Sequence, residues 1–243
     1  MRKYLIAAVA AITAIAFSAV ALAQGPDTAT LTTKVSPKDA GTKTKPKNST
    51  FVLNVVNNNT SRTMSDLDIF LARNVKLSLK GIPSCSRDTI QAEKCPDSTV
   101  LGTGEAKAKT GVNNADPALI GDRTFDVTAY KTKSETGKDM LGFYIDDGTF
   151  KFLTETKLTK LSGKYGQKLH IDVPALAQQV GATYNGLVSL KATLKKKVGR
   201  NYLISTIGCA KKKHPYKVDL TFIPNGVTDG RVISDTANAP CTK

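Results

Sequence analysis

The chain reads as an all-β protein: an antiparallel β-sandwich of about eleven short strands stapled by disulfides, with a β-barrel as the alternative. Three observations predict this class. Apolar and polar residues alternate with a period of two in segment after segment, the mark of strands with one buried face. Gly, Pro, Asn and Asp break the pattern at short intervals. Four cysteines follow a leader that predicts an oxidising compartment.

The leader comes first in the chain. Arg2 and Lys3 precede an apolar run from Leu5 to Ala21, and Ala21-Leu22-Ala23 has the small-x-small form of a cleavage site. Residues 1–23 are therefore expected to be a signal peptide. Gln24 follows where a lipoprotein would carry Cys, and no later apolar run is long enough to span a bilayer as a helix. Residues 24–243 are expected to form one domain, with a weak boundary signal at 111–122. Losing Arg2 and Lys3 takes the net charge from +15 to +13. Such a chain is drawn to anionic surfaces.

The strands follow in order. Ala29, Leu31 and Val35 alternate with Thr28, Thr30, Thr32 and Lys34. A Lys, Pro and Gly loop at 36–48 leads to a second strand at 51–56. Leu67, Ile69 and Leu71 mark a third, and Lys76 to Lys80 a short fourth. Thr99 to Lys107 and the run Phe125, Val127, Ala129 continue the pattern. Leu141, Phe143 and Ile145 are set to pair with Phe150 and Phe152 across Asp146-Asp147-Gly148-Thr149, a hairpin turn with too few oxygen ligands for a calcium loop. Leu169, Ile171 and Val173 come next, then one short helix at 174–180 that opens on Pro174. Val188, Leu190, Ala192 and Leu194, then 202–207, then Tyr216, Val218, Leu220 and Phe222 are further strands, and Arg231 to Ser234 is the last.

Cys85 and Cys95 flank a polar segment, and the nine residues between them fit a disulfide loop better than a structural zinc site. Four cysteines allow three connectivities. Local pairing favours Cys85 with Cys95 and Cys209 with Cys241. Ile82-Pro83-Ser84-Cys85-Ser86 and Cys95-Pro96-Asp97-Ser98-Thr99-Val100-Leu101-Gly102-Thr103-Gly104 also carry a resemblance. Together with Ala40 to Lys47, Tyr165 to Pro174 and the late pair Cys209 and Cys241, they make the chain similar to a family of uncharacterised secreted proteins of high-GC Gram-positive bacteria. The chain departs from that pattern at Ala210, where the family has proline. The resemblance implies an exported protein but no activity.

No catalytic constellation is legible. His170 lies on the polar face of a strand and His214 follows a lysine run. Neither sits near a nucleophile, zinc or phosphate-binding motif. Gly102-Thr103-Gly104 reads as a strand bulge. The expectation is a protein that is not an enzyme and has no cofactor or metal. Lys195, Lys196, Lys197 and Arg200 precede the strand at 202–207, and Lys211, Lys212 and Lys213 follow it. That places the two clusters at opposite ends of one strand, about 20–25 Å apart at about 3.3 Å per residue. With no tryptophan and no interleaved aromatics, specific nucleic-acid binding is disfavoured. The expected function is an exported binding or structural protein of the cell exterior that associates with an anionic envelope polymer through these seven residues. A hydrolase with a loop-built site and a module that binds another extracellular protein are the alternatives.

Overall fold

The computed structural model describes residues 28–58, 63–112, 121–180, 183–223 and 231–243. The signal segment and the centre of the 111–122 boundary lie outside the described residues. In chain order the elements are β1 (Ala29–Ser36), β2 (Lys47–Asn48), β3 (Thr50–Asn57), β4 (Met64–Ala72), β5 (Val75–Leu77), α1 (Arg87–Gln91), β6 (Val100–Val112), β7 (Gly121–Lys133), β8 (Asp139–Asp146), β9 (Lys151–Lys160), β10 (Tyr165–Asp172), α2 (Ala175–Gln178), β11 (Gln179–Val180), β12 (Thr183–Leu194), β13 (Lys197–Val198), β14 (Asn201–Tyr202), β15 (Ile204–Thr206), β16 (Lys213–Phe222) and β17 (Arg231–Pro240).

One large sheet carries the fold. Its strands run in the order β1-β3-β12-β6-β7-β8-β9-β10-β4-β16-β17, each antiparallel to its neighbours, with β11 paired beside β12. The all-β antiparallel class is as expected. Of its two forms, the strand order takes the barrel, because the sheet curls until β1 and β17 lie side by side. Eleven strands in strict up-and-down alternation leave the two end strands running the same way. The seam is therefore parallel, and it is joined sparingly. The Leu31 amide donates to Asp235 Oδ2 at 2.6 Å. Beyond the strand ends, the amides of Ala40 and Thr242 donate to the carbonyls of Thr242 and Lys38 at 3.0 and 2.9 Å.

Alternation fills the interior. Phe51, Leu53 and Val55 on β3, Leu67, Ile69 and Leu71 on β4, and Tyr216, Val218 and Leu220 on β16 are all buried. Each side chain of this kind contributes roughly 1.5–3 kcal/mol on leaving water. One end of the barrel is plugged by a second sheet, β2-β15-β5. Leu203 and Ile204 are fully buried there beside Val75 and Leu77. Gln167, projecting from β10, holds this plug as a strand would: its Oε1 accepts from the Leu77 amide at 2.8 Å and its Nε2 donates to the Leu77 carbonyl at 3.0 Å. Both disulfides, Cys85–Cys95 and Cys209–Cys241, are formed and lie in connections at this same end.

Several elements differ from expectation. The segment 202–207 is not one strand but two short pieces, β14 and β15, because Leu203 and Ile204 must both enter the core where the chain crosses the barrel end. The late helix is shorter, and Gln179 and Val180 extend to pair with Thr183 and Tyr184. Helix α1, inside the first disulfide loop, was not expected. Its N-cap is Ser86, whose hydroxyl accepts from the Thr89 amide at 3.2 Å, and its one buried side chain, Ile90, packs with Tyr144 and the disulfide outside the sheet. Strands β6 and β7 pair along most of their length across the suggested boundary.

Gly102 and Gly104 let β6 approach β12 closely. A Cβ at Gly104 would stand 2.1 Å from the Lys191 carbonyl oxygen, and one at Gly102 as close to that of Thr193. Gly102-Thr103-Gly104 itself pairs in unbroken register with β7 and β12, contrary to the expected bulge, and the register shift falls just before it, between Val100 and Gly102. Gly104→Ala is expected to lower the unfolding free energy by about 1–3 kcal/mol, read as a shift in urea midpoint.

His214 is buried, and its Nδ1 donates to Asn74 Oδ1 at 3.0 Å. Burial pushes its pKa below the ordinary value. The unfolded chain binds a proton as pH falls through about 6.5, while the folded chain resists it. This contribution is complete above that pH and is lost below it, by up to about 1.4 kcal/mol per pH unit. The stability difference between wild type and His214→Gln is expected to stay constant above about pH 6.5 and to shrink as pH falls below it.

Candidate binding cavity

The two halves of the barrel interior are filled differently. Towards the plug, Phe51, Leu53, Leu71, Leu77, Phe143 and Leu194 leave a residual space of about 20 Å³. Towards the open end lies a cavity of about 510 Å³, bounded by β4, β6 to β10 and β12. That volume falls within the roughly 300–1,000 Å³ usual for ligand pockets.

Residue size explains the hollow. Strand β6 carries Leu101 near the plug but Ala106 and Ala108 further along, and β12 contributes Gly186. Across the ladders, Ala106 stands between Leu190 and Phe125, and Ala108 between Leu187 and Arg123. Small residues flanked by large ones make a recess in the wall. A bulge between Leu187 and Ser189 shifts the phase of β12, so Leu187 lines the cavity where the alternation had predicted Val188. Ile145, Phe152, Ile171 and Val173 complete an aliphatic and aromatic lining. The hydroxyls on the wall face the backbone: Thr110 donates to the Gly121 carbonyl at 3.1 Å and Thr154 to that of Asp172 at 2.6 Å.

A short strap and a hairpin form the rim. Pro174 and α2 cross one side, held by Gln178 Nε2 donating to the Val173 carbonyl at 2.7 Å and Asn185 Nδ2 to that of Ala177 at 3.2 Å. Leu176 on this strap is 75% exposed, an apolar side chain at the lip. The turn between β8 and β9 forms another side. Asp147 Oδ1 accepts from the amides of Thr149 and Phe150 at 3.0 and 2.7 Å, and Asp146 Oδ1 from that of Gly148 at 2.6 Å. Burial raises the Asp147 pKa, but the Phe150 amide, Arg123 and the Thr149 amide outweigh it and hold the carboxyl below its usual range. Arg123 Nε donates to Asp147 Oδ2, and its guanidinium carbon lies 4.6 Å from the centre of the Phe150 ring. Lys151 pairs with Glu93, from the first disulfide loop, and with Asp146 at 3.4 Å. Tyr144 also donates to Glu93, at 3.0 Å, and burial together with that bond pushes its pKa up to about 12.

The seven basic residues singled out from the sequence lie elsewhere. Strand β12 ends at Leu194 and β16 begins at Lys213, both at the plugged end. Lys195, Lys196, Lys197 and Arg200 follow the first, and Lys211, Lys212 and Lys213 lead into the second. Both groups therefore sit at one end of the barrel, away from the cavity, and all but the half-buried Lys196 are exposed. The expected placement at opposite ends of a single strand does not hold, because that strand is broken at Leu203.

On the outer face, His170 Nδ1 meets Asp68 Oδ1 at 2.7 Å and Nε2 meets Asp172 Oδ1 at 2.8 Å, with Asp66 Oδ1 at 3.7 Å. Asp66, His170 and Asp172 bring three potential ligand atoms within 4.8 Å of one another. Lys168 and Lys157 pair with Asp68 and Asp172 at 3.0 and 3.6 Å, so the group forms an ion-pair network across β9, β10 and β4.

Comparison with protein-family models, curated proteins and solved structures finds no match to the chain. Two disulfides are compatible with an extracellular protein, and among the described residues no helix is long and apolar enough to cross a membrane.

Proposed function

We propose that the chain is an exported, non-catalytic binding protein of the cell exterior that takes an apolar molecule into the open end of its barrel. The observation that carries this reading is the cavity of about 510 Å³ beside a half that is packed almost solid. Aliphatic and aromatic walls bind by removing apolar surface from water, while the lining's cations, Arg123 and Lys151, are ion-paired at the rim and its hydroxyls, Thr110 and Thr154, donate to backbone carbonyls. The leader, the two disulfides and the resemblance to exported proteins support the location. A neutral environment-sensitive dye is expected to bind the purified protein one to one. Ala108→Phe, which fills the recess, is expected to weaken it about tenfold with the melting temperature unchanged or raised. Equal dye binding by a folded Ala108→Phe protein would overturn the assignment.

A second reading concerns the plugged end. Both basic clusters project there, which favours association with an anionic envelope polymer through Lys195, Lys196, Lys197, Arg200, Lys211, Lys212 and Lys213. Binding to isolated envelopes is expected to fall steeply with salt and to be lost when all seven are changed to Ser. Retention by that variant would remove the reading and leave the cavity assignment untouched.

A further inference from the structure

We propose that the occupant of the cavity is an anionic amphiphile, a single acyl chain ending in a carboxylate, bound tail-inward with its head on Arg123. This rests on the cavity reading above and adds the ligand class.

The argument begins with phase. On β7 the inward positions are Arg123, Phe125, Val127 and Ala129, and the last two are buried. Arg123 therefore occupies a core-facing position in a strand whose other core-facing residues are apolar. It stands where the cavity meets the rim. A cation in that phase breaks the binary pattern, and such departures mark functional positions.

The guanidinium is also held and only partly used. Asp147 takes Nε, and the guanidinium carbon lies over the Phe150 ring, 4.6 Å from its centre. Neither terminal amino group has an acceptor among the described residues. A guanidinium held at Nε and over a ring, with terminal donors that no described residue engages, suits bidentate recognition of a carboxylate. The second rim cation, Lys151, is occupied by Glu93 and Asp146. The rim acids are likewise engaged, Glu93 and Asp146 by Lys151 and Asp147 by Arg123 and two backbone amides. The volume accepts one chain, and the lining is largely apolar, with the Thr110 and Thr154 hydroxyls turned to backbone carbonyls and Asn185 Nδ2 to that of Ala177.

The test displaces the neutral dye with tetradecanoate, tetradecanol and tetradecylamine, each below its aggregation limit. Wild type is expected to bind the carboxylate at least about tenfold more tightly than the alcohol, and the amine most weakly. Arg123→Gln is expected to lose the preference, binding carboxylate and alcohol within about twofold of one another. Arg123→Lys, which keeps the charge but not the fork, should retain part of the preference and serves as the informative variant if Arg123→Gln is unstable. Equal binding of carboxylate and alcohol by wild type, a preference for the amine, or a preference that survives both substitutions would overturn the proposal while leaving the cavity reading standing. Failure of the dye and all three amphiphiles to bind wild type would instead remove the cavity reading itself, and this proposal with it.

Discussion

Closing the sheet is the constraint on which the rest of this molecule depends. Every strand edge has amides and carbonyls that need partners, and a barrel supplies them by bringing the first strand to the last. Here the count is odd, so β1 and β17 meet in parallel and share no ladder. Closure falls to a side chain, Asp235, and to the backbone around Thr242. The aspartate occupies the inward phase of β17 between Ile233 and Ala237, where its cost of burial is offset by the Leu31 amide that would otherwise lack a partner.

The closed sheet then sets two different problems at its two ends. At one, the small sheet β2-β15-β5 and the side chain of Gln167 fill the opening, and both disulfides restrain the long connections that cross it. At the other, small residues on β6 and β12 leave a recess between larger neighbours, and among the described residues nothing of comparable bulk fills it. Rigidity and room are thus separated along the barrel axis. The first disulfide loop links the two through Glu93, which reaches Tyr144 and Lys151 on the flank of the rim.

Much of the fold was legible in the chain because alternation reports burial directly. The strand with Tyr216, Val218, Leu220 and Phe222 reads unambiguously, and all four side chains are buried. The disulfide pairing also followed from spacing. What was hidden depends on relations between strands. Period-two alternation is the same in a sandwich and a barrel, since closure is decided by pairing order. Strand β17 continues to Pro240, past the expected end at Ser234, because Asp235 interrupts the apolar series for the sake of the seam. The cavity was invisible for a similar reason. Ala106 and Ala108 look like ordinary strand residues until the register sets them between Leu190, Leu187, Phe125 and Arg123. The one available signal was Arg123 in phase with Phe125 and Val127.

The gathering of both basic clusters at the plugged end gives the molecule a direction. Charge placed at one pole makes a protein lopsided in an electric field, and an anionic surface turns such a body before it touches it. In the association proposed above, the pole bearing the two clusters would lead and the open chamber would trail. With the proposed attachment through that pole, the barrel would stand like a cup on its base, its mouth turned away from the surface and towards whatever the medium carries.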